Sequence, residues 1–235
     1  FMQRVNRKYG KDFREYGDLY QWSVDNIPEF WAEMWDYAEI IASRKFDSVV
    51  DDPNKMPGAK WFIGAKLNFA ENLLRYRDDQ VAIIFRGEAM EEPRTMTYAQ
   101  LYDAVARLAK SLREYGVVAG DRVVGFMPNM PETIIAMLAA TSIGAIWSSC
   151  SPDFGTRGVL DRFGQIEPKV LFTANGYSYN GRQFSSIDKV AEIFKELTSR
   201  PHVVVVPYTD ENADISAIPN AVHYRDFTSK ESGLT

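Results

Sequence analysis

Residues 121–155 read DRVVGFMPNMPETIIAMLAATSIGAIWSSCSPDFG, and their pattern decides the fold. Residues 122–127 form a short apolar run entered through Gly120-Asp121, the signature of a buried strand. Pro128 ends that run, and Pro131 suits the first turn of a helix, where a missing N–H leaves no helical bond unmade. The helix expected over residues 131–142 carries Ile134, Ile135, Met137, Leu138, Ala139 and Ala140, so it has no polar face and must be covered. Gly144 closes it as a left-handed residue just past the last turn would, and residues 145–150 supply a second short apolar strand. Strand, covered helix and strand make a right-handed βαβ unit whose two strands should be parallel and buried. Ligands of such sheets bind beyond the carboxyl ends of the strands, which directs attention to the turn at residues 148–155.

Working outward, the same alternation continues on both sides. Residues 81–85 read as a strand that turns at Arg86-Gly87-Glu88 and pairs with residues 94–96. Thr97 opens a helix with Gln100 completing a capping box, Gly116 closing it, and Leu101, Val105, Leu108, Ala109 and Leu112 as its apolar stripe. After residue 155, Val159, Leu160, Phe163 and Ile166 mark an amphipathic helix that Pro168 stops, and residues 170–173 a strand. Residues 185–197 read as a helix capped by Ser185 with Asp188 at its third position, followed by a buried strand at 202–207. The fold class expected is therefore α/β, a mostly parallel sheet flanked by helices. Residues 209–235 are polar and read as loop with an edge strand at 221–224.

The N-terminal quarter is different. Residues 1–16 are charged and weakly patterned and read as a fraying leader. Residues 19–37 are helical in period and broken at Ile27-Pro28, with Phe30, Trp31, Met34, Trp35 and Ala38 on one face, expected to dock on the main body. Residues 51–60 (DDPNKMPGAK) have the composition of a linker, and Asn68 can cap a short helix with Glu71 at its third position. The organisation expected is a helical leader and linker over residues 1–60 and an incomplete α/β domain over 61–235.

Composition narrows the function classes. The net charge is −5 with no basic run, so neither nucleic acid nor an anionic membrane is an expected partner. Cys150 is the sole cysteine, which excludes an internal disulfide and fits a reducing, cytoplasmic setting. The chain starts at Phe1 and reads as a piece of a longer protein. There is no phosphate-binding G-x-x-x-x-G-K-[ST] loop, no dinucleotide G-x-G-x-x-G, no G-x-S-x-G elbow and no H-E-x-x-H. Residues 148–158 gather Ser, Thr and Gly at a helix mouth, as a phosphate cradle does, but Asp153 would repel an anion, and an ordinary strand-to-helix turn capped by Asp153 or Thr156 is the simpler reading. Cys150 has no basic neighbour to make it a nucleophile, and His202 starts a strand. Residues 177–182 (YSYNGR) form a second turn at a strand's carboxyl end, where Arg182 is placed to grip a phosphate bidentately.

Several motifs carry a resemblance. Trp61-Phe62-x-Gly64-x-x-Leu67-Asn68-x-x-x-Asn72-Leu73-Leu74, Thr97-Tyr98-x-x-Leu101 and Gly116-Val117-x-x-Gly120-Asp121-Arg122-Val123 are similar to the entry segments of the acyl-CoA synthetases of the adenylate-forming superfamily. Met137-Leu138-Ala139 and Ile143-Gly144-Ala145 continue the match in order. Three narrower stretches, Pro28-Glu29-Phe30-Trp31, residues 147–155 (WSSCSPDFG) and residues 158–169 (GVLDRFGQIEPK), resemble the acetoacetate-activating branch of that family. The acetyl and propionyl branches carry a Phe-Gly-Gly-Phe turn where this chain has Ser151-Pro152-Asp153-Phe154.

The resemblance implies a two-step ligase using ATP, CoA and Mg2+, with acetoacetate as the acid. An acyl-adenylate forms with loss of pyrophosphate, and the CoA thiol then displaces AMP. It also implies that the phosphate loop, the nucleotide contacts and a mobile C-terminal domain belong to the missing C-terminal part of the same polypeptide, so that no catalytic residue and no metal ligand falls in this chain. What falls here is one wall of the CoA channel. Arg182 keeps the second arginine of an Arg-x-Gly-Arg turn that holds CoA phosphate, Tyr179 stands in place of the first, and the glycine lining the pantetheine path corresponds to Asp153. An acetyl- or propionyl-type parent, and a non-catalytic stand-alone α/β fragment, are the two other readings the residues leave open.

Overall fold

Helix α1 (Met2–Tyr9) occupies the segment whose sequence suggested a fraying leader. It is held because Val5 is fully buried and because Glu33, also fully buried, accepts hydrogen bonds from Arg4 Nε at 2.8 Å and from Lys8 Nζ. Arg4 and Lys8 lie one helical turn apart and so present both cations to one carboxylate. Tyr9 packs on Trp22 of α2 (Tyr16–Asp25) with ring centroids 5.1 Å apart. Helix α3 (Ile27–Tyr37) restarts after Asn26 with Pro28 in its first turn, as the Ile27-Pro28 break suggested.

Strands β1 (Ser48–Val50) and β2 (Trp61–Ile63) pair antiparallel, so the Pro/Gly-rich residues 51–60 connect a hairpin instead of acting as a linker. The Asp51 carboxylate organises that connection by accepting from Lys55 Nζ and the Lys60 N–H, each at 2.9 Å. Trp35, Phe46 and Phe62 pack ring against ring at 5.0–5.4 Å. Trp31, Met34, Trp35 and Ala38 line an apolar cleft of about 490 Å3 together with Trp61 and Phe62. The short helix α4 (Phe69–Leu73) has its expected cap, Asn68 Oδ1 accepting from the Glu71 N–H at 3.1 Å.

The structure, a computed structural model, describes residues 1–231, and the chain divides into two compact units, Phe1–Asn72 and a second beginning at Leu73. The second unit opens with the antiparallel pair β3 (Val81–Phe85) and β4 (Arg94–Thr97). Helix α5 (Tyr98–Glu114) follows with the full capping box, the Gln100 N–H donating to Thr97 Oγ1 while the Thr97 N–H donates to Gln100 Oε1. Its stripe of Leu101, Val105, Leu108, Ala109 and Leu112 is buried, as its spacing required.

Next come β5 (Arg122–Phe126), α6 (Pro131–Ser142), β6 (Ile146–Cys150), α7 (Thr156–Phe163), β7 (Val170–Ala174), the hairpin β8 (Gly176–Tyr179) and β9 (Arg182–Ser185), α8 (Ile187–Glu196), β10 (His202–Val206), β11 (Ala221–His223) and α9 (Tyr224–Phe227). The five strands β11-β10-β7-β5-β6 form one parallel sheet, with Val123 opposite both Trp147 and Val170. One sheet face, through Val124, Phe126, Leu171, Val203 and Val205, packs on Val159 and Phe163 of α7 and on Val190, Ile193 and Phe194 of α8. Alternation along the strands turns Val123, Phe172 and Val204 to the opposite face, and α6, packed on α5, covers β5 and β6.

Two expectations change here. Strands β5 and β6 are parallel neighbours, but β6 is an edge strand with Ile146 53% exposed, because the chain returns across β5 to lay down β7 on its other side. The helix read from residue 185 begins at Ile187 with Ser186 as its cap, since Ser185 is already paired with Gly176 in the hairpin. Among the described residues, no helix is long and apolar enough to cross a membrane.

Candidate functional site at the strand carboxyl ends

Read in chain order, the sheet runs second, first, third, fourth, fifth, so the winding reverses between β5 and β7. At such a reversal the two flanking connections leave in opposite directions and open a crevice past the strand ends. Here the crevice is a cleft of about 450 Å3 lined by Pro128 and Asn129 after β5, Ser151, Pro152 and Asp153 after β6, Tyr177, Tyr179 and Phe184 of the hairpin, and Tyr208 after β10.

Residues 176–185, whose sequence suggests only a turn, form a complete hairpin. Asn180 (φ 51°) and Gly181 (φ 73°) are both left-handed, the two-residue connection that matches the twist of antiparallel strands. The signal was the Asn-Gly pair between two short aromatic stretches, YSY and RQF. Tyr177 stacks on its cross-strand partner Phe184 at 5.2 Å, which builds one wall of the cleft. The Glu88 carboxylate fixes the hairpin tip by accepting from the Gly181 N–H at 2.7 Å.

Two of the three residues expected at a ligand line this cleft, Asp153 after β6 and Tyr179 on the hairpin. Arg182 is exposed, not among the lining residues, and directly opposite Tyr179 in register. Residues paired across strands point to the same face, which sets the guanidinium on the Tyr179 side of the hairpin.

Asn175, at the end of β7 and only 3% exposed, was not singled out from sequence, yet it positions the loop carrying Tyr208. Its Oδ1 accepts from the Tyr208 N–H at 2.8 Å and the Thr209 N–H at 3.1 Å, while its Nδ2 donates to the Asp210 carbonyl at 2.6 Å. Burial, reinforced by the nearby Glu88 charge, pushes the Tyr208 hydroxyl above its ordinary pKa, so at neutral pH it is an O–H donor.

The turn after β6 is an ordinary strand-to-helix turn, closed by a Phe154 N–H to Ser151 carbonyl bond of 3.2 Å. Its cap is Gly155, neither Asp153 nor Thr156: the Thr156 hydroxyl is engaged with Glu192 at 3.1 Å instead. Cys150 is buried, and burial raises its thiol pKa more than Arg162 lowers it, so it is no thiolate nucleophile. His202 begins β10, stacks on Tyr115 at 4.5 Å, and is held below its usual pKa by burial, hence neutral. Among the described residues, no group of three or more His, Cys, Asp or Glu side chains is placed to hold a metal ion. Among the described residues, the cleft thus offers aromatic faces, hydroxyls and the Asp153 carboxylate.

Comparison with known proteins agrees with this architecture. Residues 69–230 match the family described as AMP-binding enzyme, and residues 16–73 match that described as acetyl-coenzyme A synthetase N-terminus. The acetoacetyl-CoA synthetase of Danio rerio is 46% identical over 98% of this chain and 35% of its own length. That of Rhizobium meliloti is 43% identical over 97% of this chain and 34% of its own. The solved acetoacetyl-CoA synthetase from Streptomyces lividans superposes with a TM-score of 0.87 at 38% identity, covering 98% of this chain and 36% of that one. The chain thus spans about a third of the length of the relatives it matches and corresponds to their N-terminal part. On its fold and on a match covering most of its length, this chain belongs to the AMP-binding enzyme family.

Proposed function

We propose that the chain is the N-terminal part of an ATP-dependent acid–thiol ligase that converts acetoacetate, ATP and CoA to acetoacetyl-CoA, AMP and pyrophosphate, and that its cleft forms one wall of the CoA path. The observation that carries this reading is the 43–46% identity, over nearly the whole chain, to proteins named for that reaction in animals and a bacterium. The carboxylate oxygen of the acid bonds to the α-phosphorus of ATP as pyrophosphate leaves; the CoA sulfur then bonds to the acyl carbon as AMP leaves. Mg2+, when bound, would neutralise phosphate charge, and its ligands, like the nucleotide contacts, are proposed to lie in the remainder of the polypeptide.

This chain's own residues orient. Tyr177, Tyr179 and Phe184 give a flat apolar wall suited to the pantetheine arm, Asp153 lines the cleft from the strand-end turn, and Arg182 beside the hairpin tip supplies the charge for a CoA phosphate. The single buried cysteine and the acidic balance fit a cytosolic protein without nucleic-acid or membrane partners.

The test uses the complete protein. Pyrophosphate exchange into ATP, run with acetoacetate, acetate and propionate, is expected to proceed at least about tenfold better with acetoacetate. A preference for acetate or propionate assigns the other short-acid branch, and no exchange with any acid assigns a non-catalytic fold. Arg182→Ala is expected to raise KM for CoA by about tenfold with KM for ATP unchanged; equal effects on both would remove Arg182 from the CoA path.

A further inference from the structure

Lys189 sits in the first turn of α8, where the positive end of the helix dipole disfavours a cation. A residue that breaks a local rule has a compensating partner elsewhere, and here the partners are two backbone carbonyls. Lys189 Nζ donates to the Pro152 carbonyl at 3.0 Å and to the Phe154 carbonyl at 3.2 Å. These are the carbonyls of the two residues on either side of Asp153, a cleft residue within the turn that the Phe154 N–H to Ser151 carbonyl bond closes. The stem is fixed as well, because the ammonium lies 5.6 Å from the centroid of the fully buried Phe126 ring at the end of β5. From the other side, Arg162 lies 4.7 Å from the centroid of the Phe154 ring and donates to the Gly158 carbonyl at 2.7 Å. The turn after β6 is thus clamped from α7 and α8, and the side chains it exposes at the cleft are those of Ser151 and Asp153.

We propose that Lys189 is a positioning residue of the cleft, holding the Pro152–Asp153–Phe154 turn so that Asp153 presents a fixed wall to the incoming thiol substrate. It rests on the CoA reading above. A flexible turn would leave the acid-activating half of the reaction intact and weaken only the second substrate.

The experiment compares the complete protein with Lys189→Met, which keeps the stem and removes the donors, and with Lys189→Arg, which restores donors. Should Lys189→Met not fold, Lys189→Gln carries the same comparison. Hydrogen exchange at the amides of residues 153–156 is expected to quicken about tenfold in Lys189→Met, with strand amides at 123–126 and 171–174 unchanged. KM for CoA is expected to rise about tenfold while acid-dependent ATP–pyrophosphate exchange stays within twofold, and Lys189→Arg is expected to recover most of both losses. Unchanged exchange at residues 153–156, or a parallel fall in the adenylation half-reaction, overturns the proposal. If Arg182→Ala raises KM for CoA and Lys189→Met does not, the positioning role fails and the CoA reading stands. If neither variant touches CoA, the reading fails and the positioning role with it.

Discussion

Asn175 Oδ1 accepts the Tyr208 N–H at 2.8 Å, tying the end of one central strand to the loop that leaves its neighbour. Because Asn175 is buried and its amide bonds three backbone groups, with the Thr209 hydroxyl a further donor at 3.5 Å, no water replaces these contacts when the side chain is removed. Asn175→Ala is expected to cost about 2–4 kcal/mol, the penalty of several buried polar groups left unpaired. Asn175→Asp keeps the two acceptor bonds but sets a carboxylate oxygen against the Asp210 carbonyl, and is also expected to destabilise. Urea unfolding of the three proteins checks both.

The Glu33 cluster predicts an acid-sensitive N-terminal unit. Burial by itself would raise the Glu33 pKa, but hydrogen bonds from Lys8 and Arg4 outweigh it and hold the carboxyl below its ordinary value. A depressed folded-state pKa stabilises above the unfolded value, about 4.3, and that stabilisation disappears as pH falls through the folded value. Glu33→Gln is therefore expected to lower Tm by about 3–6 °C at pH 7 and to converge with the parent as pH falls through the depressed folded-state value. A Tm difference that persists unchanged at low pH would show that packing, and not charge, holds α1.

Gly125 lies in β5, an interior strand, against the Trp147 ring. A Cβ there would come within 2.7 Å of Trp147 Cζ2 and 2.8 Å of Cη2, so the indole must move. Gly125→Ala is expected to destabilise by about 1–3 kcal/mol, as overpacking does, and the penalty is expected to shrink in a Trp147→Leu background. Additive losses in the double-mutant cycle would contradict the contact.

Thr97 begins α5 with both halves of a capping box in place. Thr97→Ala is expected to cost about 1 kcal/mol, and Thr97→Ser to restore most of it. Chemical denaturation of the two variants measures the difference directly.

Much of the architecture was legible because it is written in local periodicity. The apolar run at residues 122–127, the two prolines and the all-apolar helix admit one strand–helix–strand reading, and β5, α6 and β6 follow it. The Thr97–Gln100 box and the Asn68 cap were equally direct, since caps depend on residues three apart. The motifs shared with the acyl-CoA synthetases were likewise present in the string, and the family assignment agrees with them.

What sequence left open depends on contacts between residues far apart in the chain. The charged leader folds on partners far along the chain: Trp22 packs on Tyr9, and Glu33 buries a carboxylate that needs Arg4 and Lys8. Strand β6 reads as buried on composition, yet whether a strand is central or at an edge is set by where the following strand is laid, and β7 chose the far side of β5. The same return crossing created the cleft: Asp153, Tyr179 and Tyr208 stand up to 55 positions apart in the sequence, and only the reversal of winding between β5 and β7 brings them around one volume. Short-range pattern fixes which elements form, because hydrogen bonds within helices and side-chain alternation within strands are local. Their order in the sheet, and therefore the site, is a property of long-range packing that no window of residues contains.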